Sequence, residues 1–236
     1  MSEQELKIFF KEKVETWYDP LKQFLHSDAF MSIGRYINVR SKETIVIPSP
    51  DRIFRAFHLT KWDEVRVVII NQDPYPASEY ASGIAFGIDN EFENLFIPYP
   101  ASLQNILDEV ENDLYNGLNF PDYTLESWCK QGVLMLNAAL TVENGIPGSH
   151  VALWDPFTKE VVKAISNNKP GTIWLLWGEH AQTYKPLINL ETNHVLECGS
   201  PNPHSVKKGL WFNNKHFSET NAILEKANGT KFKIKW

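Results

Sequence analysis

Asp73 follows directly on an apolar run, VRVVII (65–70), where the chain breaks into Asn71, Gln72, Asp73, Pro74 and Tyr75. A carboxylate just past a buried strand can orient a water as general base, or offset positive charge that develops on a substrate. Asn71 and Gln72 add amide donors and acceptors. Pro74 stiffens the turn, and Tyr75 sets an aromatic wall beside the carboxylate. The same residues would also suit an Asx-type turn in which Asp73 caps the next segment. Three other apolar runs end as pointedly. Val133–Leu136 runs into Asn137, Thr172–Trp177 into Gly178-Glu179-His180, and His194–Cys198 into GSPNPHS (199–205).

These four runs are the elements that must position the chemistry. Val65, Val67, Val68, Ile69 and Ile70 suit a strand buried on both faces, as in a parallel sheet. The segments between the runs read as helices. Leu6, Phe9, Phe10, Val14, Trp17, Leu21 and Phe24 recur at near-helical spacing, with a break expected near Pro20. Asp51 is expected to cap a short helix through Phe57, and Ser102 to cap LQNILDEVENDL. Asp155 or Pro156 should open FTKEVVKAISNN, with further helices over 181–190 and 218–226. Strands alternating with helices predict a parallel sheet covered on both faces. Parallel strands present their C-terminal ends on one edge, so the four polar clusters should converge there into a site.

Bulk properties narrow the class. With 236 residues and 43% apolar content, the chain has material for one well-filled core. No apolar run is long enough for a membrane helix, and the charged, amphipathic N-terminus does not read as a signal peptide, so a cytoplasmic protein is expected, or a nuclear one in a eukaryote. Cys129 and Cys198 follow no metal-ligand spacing and read as reduced thiols. The net charge of −6 argues mildly against a nucleic-acid partner. From Ser200 onward, however, seven lysines face only Glu219 and Glu225, which leaves that end at +5 and the rest at −11. From charge alone, a solvated, lysine-rich final helix explains this more simply than a phosphate-binding face does. No glycine-rich phosphate loop is present, which weakens a nucleotide-binding reading.

Several motifs occur in an order that resembles the family 1 uracil-DNA glycosylases: NQDPYP (71–76), SGIAFGI (82–88), PYPASLQNI (98–106), KQGVLMLNAALTV (130–142), WLLWGEHAQ (174–182), SPNPHSV (200–206) and HFSETN (216–221). The resemblance runs from about residue 45 to the C-terminus and is thin before it. It implies an α/β fold, a three-layer α/β/α sandwich with a central four-stranded parallel sheet, forming a single domain over 1–236 with residues 1–45 packed on it as a helical segment. It further implies hydrolysis of the N-glycosidic bond of deoxyuridine in single- or double-stranded DNA, leaving an abasic site, without metal or cofactor. A monomer is expected, with no membrane role and with protein inhibitors of glycosylases as a further partner class. On this reading the base is extruded into a pocket. Phe86 would stack on it, Asn137 would donate to O4 and accept from N3–H, and Tyr75 would exclude a methyl at C5. Asp73 would orient the attacking water, with Gln72 holding the bond network. Ser102, Asn202 and Ser205 would grip phosphates, and Ser200 would stand at the second catalytic position.

The chain departs from the family pattern at telling places. Asn71 and Pro76 replace the glycine and histidine that bracket the first motif. Ser200 stands where the family has a neutral histidine donating to uracil O2, and His204 where a leucine wedge fills the hole left by the flipped base. Glu179 replaces a loop serine, and Ser82 another histidine. Losing a donor such as that histidine costs on the order of 10²- to 10³-fold in rate, unless a water bridges Ser200 to O2. Two other readings therefore stand: a glycosylase for another modified pyrimidine, and a catalytically weak DNA-binding or scaffold protein on the same fold.

Overall fold

Val67, Val68, Ile69 and Ile70 are all fully buried, as a strand covered on both faces requires. The computed structural model describes residues 3–89, 97–115 and 122–236, with side chains from Lys7 onward. In chain order its elements are α1 (Glu3–Val14), α2 (Tyr18–Leu25), α3 (Asp28–Arg40), β1 (Val46–Ile47), α4 (Arg55–Leu59), β2 (Val67–Asn71), α5 (Ala101–Val110), α6 (Glu126–Cys129), β3 (Val133–Asn137) and β4 (Val142–Glu143), followed by α7 (Val151–Asn168), β5 (Ile173–Trp177), α8 (Glu179–Gln182), β6 (His194–Cys198), α9 (Pro203–Lys207) and α10 (His216–Asn228).

β3, β2, β5 and β6 lie in that order as a parallel sheet. Alternate residues of each inner strand enter opposite layers. Val68, Ile70, Leu134, Leu136, Trp174 and Leu176 join a core built with α1, α2, α3 and α7. Val67, Ile69, Val133, Met135, Ile173 and Leu175 join a second core with α5, α6 and α10. This is the expected three-layer sandwich. A small antiparallel pair, β1 with β4, was not foreseen from the sequence. Among the described residues no helix is long and apolar enough to cross a membrane.

The register places the four strand ends level. Asn71 lies opposite Asn137, Ile70 opposite Leu176, and Trp177 opposite Cys198. Helix boundaries differ more from expectation. The N-terminal helix breaks at Glu15–Trp17, where Glu15 takes φ 47°, and Pro20 sits harmlessly in the first turn of α2. Asp51 lies in a turn ahead of α4, and neither Asp51 nor Ser102 caps a helix. α7 starts at Val151 and carries Pro156 inside it, because Trp154 and Phe157 are already packed in the core at that point. Residues 181–190 hold only the end of α8 and a short 3-10 turn at Lys185–Leu187.

The N-terminal helices share the first core rather than lying on its surface. Trp17 is fully buried, its indole N–H donates to the Thr60 carbonyl at 2.9 Å, and its ring meets Phe57 and Trp62 edge-on at 5.1 and 5.0 Å. Replacing it by alanine removes both the volume and the buried hydrogen bond. Trp17→Ala should lower the unfolding free energy by about 3–5 kcal/mol, read from urea denaturation at unchanged slope. A loss under about 1 kcal/mol would show that these helices do not share the core.

Candidate active site

The four polar strand ends do meet. A cleft of about 970 Å³ opens on that edge, bounded by Asn71, Gln72 and Asp73 after β2, by Gly178 to Gln182 after β5, and by Cys198 to Ser205 after β6, with Phe86, Ser102, Pro147 and Lys208 closing its sides. A smaller hollow of about 380 Å³ beside Tyr99, Trp128 and Trp236 lies away from the strand ends. Among the described residues no cluster of three or more His, Cys, Asp or Glu is arranged to hold a metal.

Asp73 sits at the end of β2 with both carboxylate oxygens engaged. The backbone N–H of Gly148 donates to Oδ2 at 2.6 Å, and the Gln72 amide donates to Oδ1 at 3.3 Å. Burial pushes the Asp73 carboxyl above the ordinary aspartate value, while the Gly148 and Gln72 donors and the neighbouring His180 pull the other way. Gly148 belongs to the loop between β4 and α7, and that loop is held from several sides. Arg40 of α3 donates to both oxygens of Glu143, at 2.9 and 3.0 Å, and the Ser149 hydroxyl accepts from the Glu143 N–H at 2.8 Å. Thr141 accepts from the Trp154 indole at 2.7 Å, and its hydroxyl shares a second hydrogen bond with Nδ1 of His150 at 2.8 Å. Nε2 of His150 lies 3.6 Å from Glu143.

Asn71 joins this edge to the neighbouring strand. Its amide nitrogen donates to the Asp73 carbonyl at 2.7 Å and to Oδ1 of Asn137 at 2.9 Å. Asn137 is 3% exposed, so it and Tyr75 stand behind the open cleft rather than on its surface. The Tyr75 hydroxyl donates to the Phe86 carbonyl at 2.9 Å, and its ring meets Tyr80 edge-on at 5.9 Å. Phe86 does line the cleft, 5.8 Å from the Trp177 ring, in the left-handed region at φ 63°. A bulky residue there is strained by about 1–3 kcal/mol and persists only where its surroundings impose it. Here they do: Ala85 N–H bonds to Met135, Ile88 N–H to Tyr123, and the Ser82 hydroxyl donates to Gly87 at 2.8 Å. Arg55 ties the loop down through the Ser82 carbonyl, Asp89 and Glu126. A side chain at Gly87 would collide with the Thr124 carbonyl, 2.3 Å from its Cβ.

Ser200, Asn202, His204 and Ser205 all line the third wall. Ser200 accepts from the Asn202 N–H at 3.3 Å, and Gly178 must be glycine because a Cβ there would lie 2.9 Å from that of Ser200. Asn202 is the N-cap of α9, accepting from the Ser205 N–H at 2.8 Å. Its carbonyl oxygen is thus committed to the fold, a role the sequence reading missed. His204 and Glu179 both line the cleft and are exposed. Of the C-terminal lysines, Lys208 lines the cleft, whereas Lys215 and Lys233 face Asp113 and Glu225 at 3.6 and 2.8 Å.

Two contributors escaped the sequence reading. Gly148 acts through a backbone N–H and leaves no side-chain signal. His180 carries no sequence signal beyond its place at a strand end. It lines the cleft with its ring edge-on to Tyr184 at 5.8 Å, and its Nε2 is buried without a hydrogen-bond partner among the described residues. Burial holds its pKa below the ordinary histidine value, against the pull of Asp73 and Asp155, so the ring is neutral near pH 7.

Comparison with known proteins agrees with this architecture. The model of the uracil DNA glycosylase superfamily matches residues 57–225. The uracil-DNA glycosylase of Flavobacterium johnsoniae is 40% identical over 223 residues, spanning 94% of this chain and 97% of that protein. That of Streptococcus equi subsp. zooepidemicus is 39% identical over 211 residues, spanning 89% and 93%. The crystal structure of mimivirus uracil-DNA glycosylase superposes with a TM-score of 0.83 at 24% identity, covering 98% of this chain and 91% of that one. A mimivirus variant solved in complex with UGI gives the same TM-score at 23% identity, covering 98% and 93%. With the family model spanning most of the chain and relatives matched nearly end to end, this protein belongs to the uracil DNA glycosylase superfamily.

Proposed function

We propose that this protein is a DNA repair enzyme that hydrolyses the N-glycosidic bond of deoxyuridine in DNA, flipping the base out of the strand and leaving an abasic site. The observation that carries the reading is the grouping, on one sheet edge, of the half-buried Asp73 carboxylate, the Asn137 amide and the conformationally forced Phe86. In this mechanism the base stacks on Phe86 while the Asn137 amide reads its O4 and N3–H edge. Tyr75, fixed by its bond to the Phe86 carbonyl, limits the space at C5. The bond breaks through an oxocarbenium-like sugar. Asp73 orients the water, offsets the sugar's positive charge and takes the surplus proton. Gln72 keeps the carboxylate in place. Ser200 serves the O2 side through a bridging water.

Phosphates are gripped by small neutral donors, Ser102, Ser205 and the amide nitrogen of Asn202, with Lys208 as the cationic contact and His204 as the wedge. We propose that the protein works as a monomer on single- or double-stranded DNA, in the cytoplasm or in a eukaryotic nucleus. The same open cleft is the face that a protein inhibitor of glycosylases would cover. A weakly catalytic DNA-binding role on this fold draws support from Ser200 and Glu179 and is decided by the same assay.

Incubation with oligonucleotides carrying U, T, C or 5-hydroxymethyl-U should give abasic sites at U alone. Binding without product from any of them would refute the enzyme reading. Asp73→Asn should lower kcat by about 10²- to 10⁴-fold with KM little changed. Because Asp73 must be ionised and its pKa is raised by burial, kcat should fall on the acid side at a pH above the ordinary aspartate value, and a pH–rate profile reads this directly. Ser200→His should raise kcat by about tenfold or more, by restoring a direct donor at O2.

A further inference from the structure

An asparagine amide is a nearly symmetric reader of a base edge. Presented one way, Nδ2 donates to O4 of uracil while Oδ1 accepts from N3–H. Rotated by half a turn, Oδ1 accepts from the 4-amino group of cytosine while Nδ2 donates to N3. The two orientations differ little in shape, so the choice between the bases rests on whatever stops the amide from turning. A cytosine-reading orientation in a repair enzyme would attack normal DNA.

In this chain that restraint is visible. The Asp73 carbonyl can only accept, so the end of Asn71 that lies 2.7 Å from it must be the amide nitrogen. The second hydrogen of that nitrogen points to Asn137 at 2.9 Å, so the facing atom of Asn137 must be its oxygen. One backbone carbonyl thus sets both side chains in sequence, and a flip of Asn137 would bring two N–H groups face to face in a buried site. The register makes the lock possible, because Asn71 and Asn137 are direct partners across the parallel pair. The Asp73 carbonyl that sets the lock belongs to the catalytic residue itself.

We propose that Asn71 is a specificity-determining residue, which holds the Asn137 amide in the orientation that reads uracil and excludes cytosine. It acts through Asn137, as a positioning residue. The inference rests on the glycosylase reading above and adds to it the source of the discrimination.

The test is Asn71→Asp, which keeps the shape and reverses the hydrogen bonding. A carboxylate can only accept, so Asn137 would turn Nδ2 toward it and offer Oδ1 to the base. Single-turnover kcat/KM is measured on single-stranded oligonucleotides carrying U or C, for wild type, Asn71→Asp and Asn71→Ala, with thermal melts of each. The U-to-C ratio is read within one preparation and does not change with the fraction of folded protein, so a merely structural role leaves it alone. Asn71→Asp should lower the ratio by about a hundredfold or more, with release of cytosine rising above wild type. Asn71→Ala should give an intermediate ratio. A wild-type ratio in a folded Asn71→Asp overturns the proposal, and if that variant does not fold, a wild-type ratio in Asn71→Ala does so. Wild type that releases no uracil would instead overturn the glycosylase reading.

Discussion

A carboxylate that must stay charged in a half-buried place is the constraint around which this molecule is arranged. Burial favours the protonated form of Asp73, yet the proposed roles, orienting a water and facing a cationic sugar, both need the ion. The fold supplies the Gly148 N–H and the Gln72 amide to hold the charged form. Gly148 can do so only if its loop is fixed, and the loop is fixed by Glu143, which is held in turn by Arg40 at the end of α3. The N-terminal helices therefore reach the Asp73 carboxylate through the Arg40–Glu143 pair and the Gly148–Ser149 loop that it holds. Their packing around Trp17 bears on the chemistry as well as on stability.

Charge explains why an acidic protein can serve a polyanion. Lys215 and Lys233 sit against carboxylates, and Asp113 and Glu109 are spent on backbone N–H groups around the start of α10. The C-terminal excess of lysine is thus partly structural. What the cleft itself offers is Lys208 and a set of hydroxyl and amide groups. Such donors recognise phosphate by geometry rather than by net charge, so the total of −6 does not weigh against a nucleic-acid substrate.

The sheet was legible because each strand announces itself twice, by a β-branched or leucine-rich run and by the polar residue that stops it. Convergence of those ends follows from parallel topology alone. Helix starts were not legible. Asp51 and Ser102 have the right side chains for caps and are not used as caps, while Asn202 is. Many polar residues are able to cap, and packing decides which of them stands at a helix end. Pro156 misled for the same reason: the core contacts of Trp154 and Phe157 extend α7 past a residue that local preference would place at its start. In the site, the chemically distinctive Asp73 and Phe86 could be found from type and motif. Gly148 could not, since it contributes only backbone. The Asn71–Asn137 pair needed the strand register, which no local pattern encodes.

The departures from the family pattern become coherent when followed to the leaving group. As the glycosidic bond breaks, its electron pair passes to the base, and the charge spreads over both O2 and O4. A histidine donor at O2 would stabilise that charge directly, and in the proposed mechanism Ser200, acting through a water, would do so less well. In that mechanism the other end of the same anion meets the Asn137 amide, whose oxygen is held by Asn71 and whose nitrogen is left over for the base. A donor fixed in advance costs no reorganisation at the moment charge develops, so it counts for more in the transition state than a mobile one. The asparagine that replaces a glycine and the serine that replaces a histidine then act on one delocalised charge from opposite ends. The first offsets part of what the second gives up, and the same lock that selects uracil supports its departure.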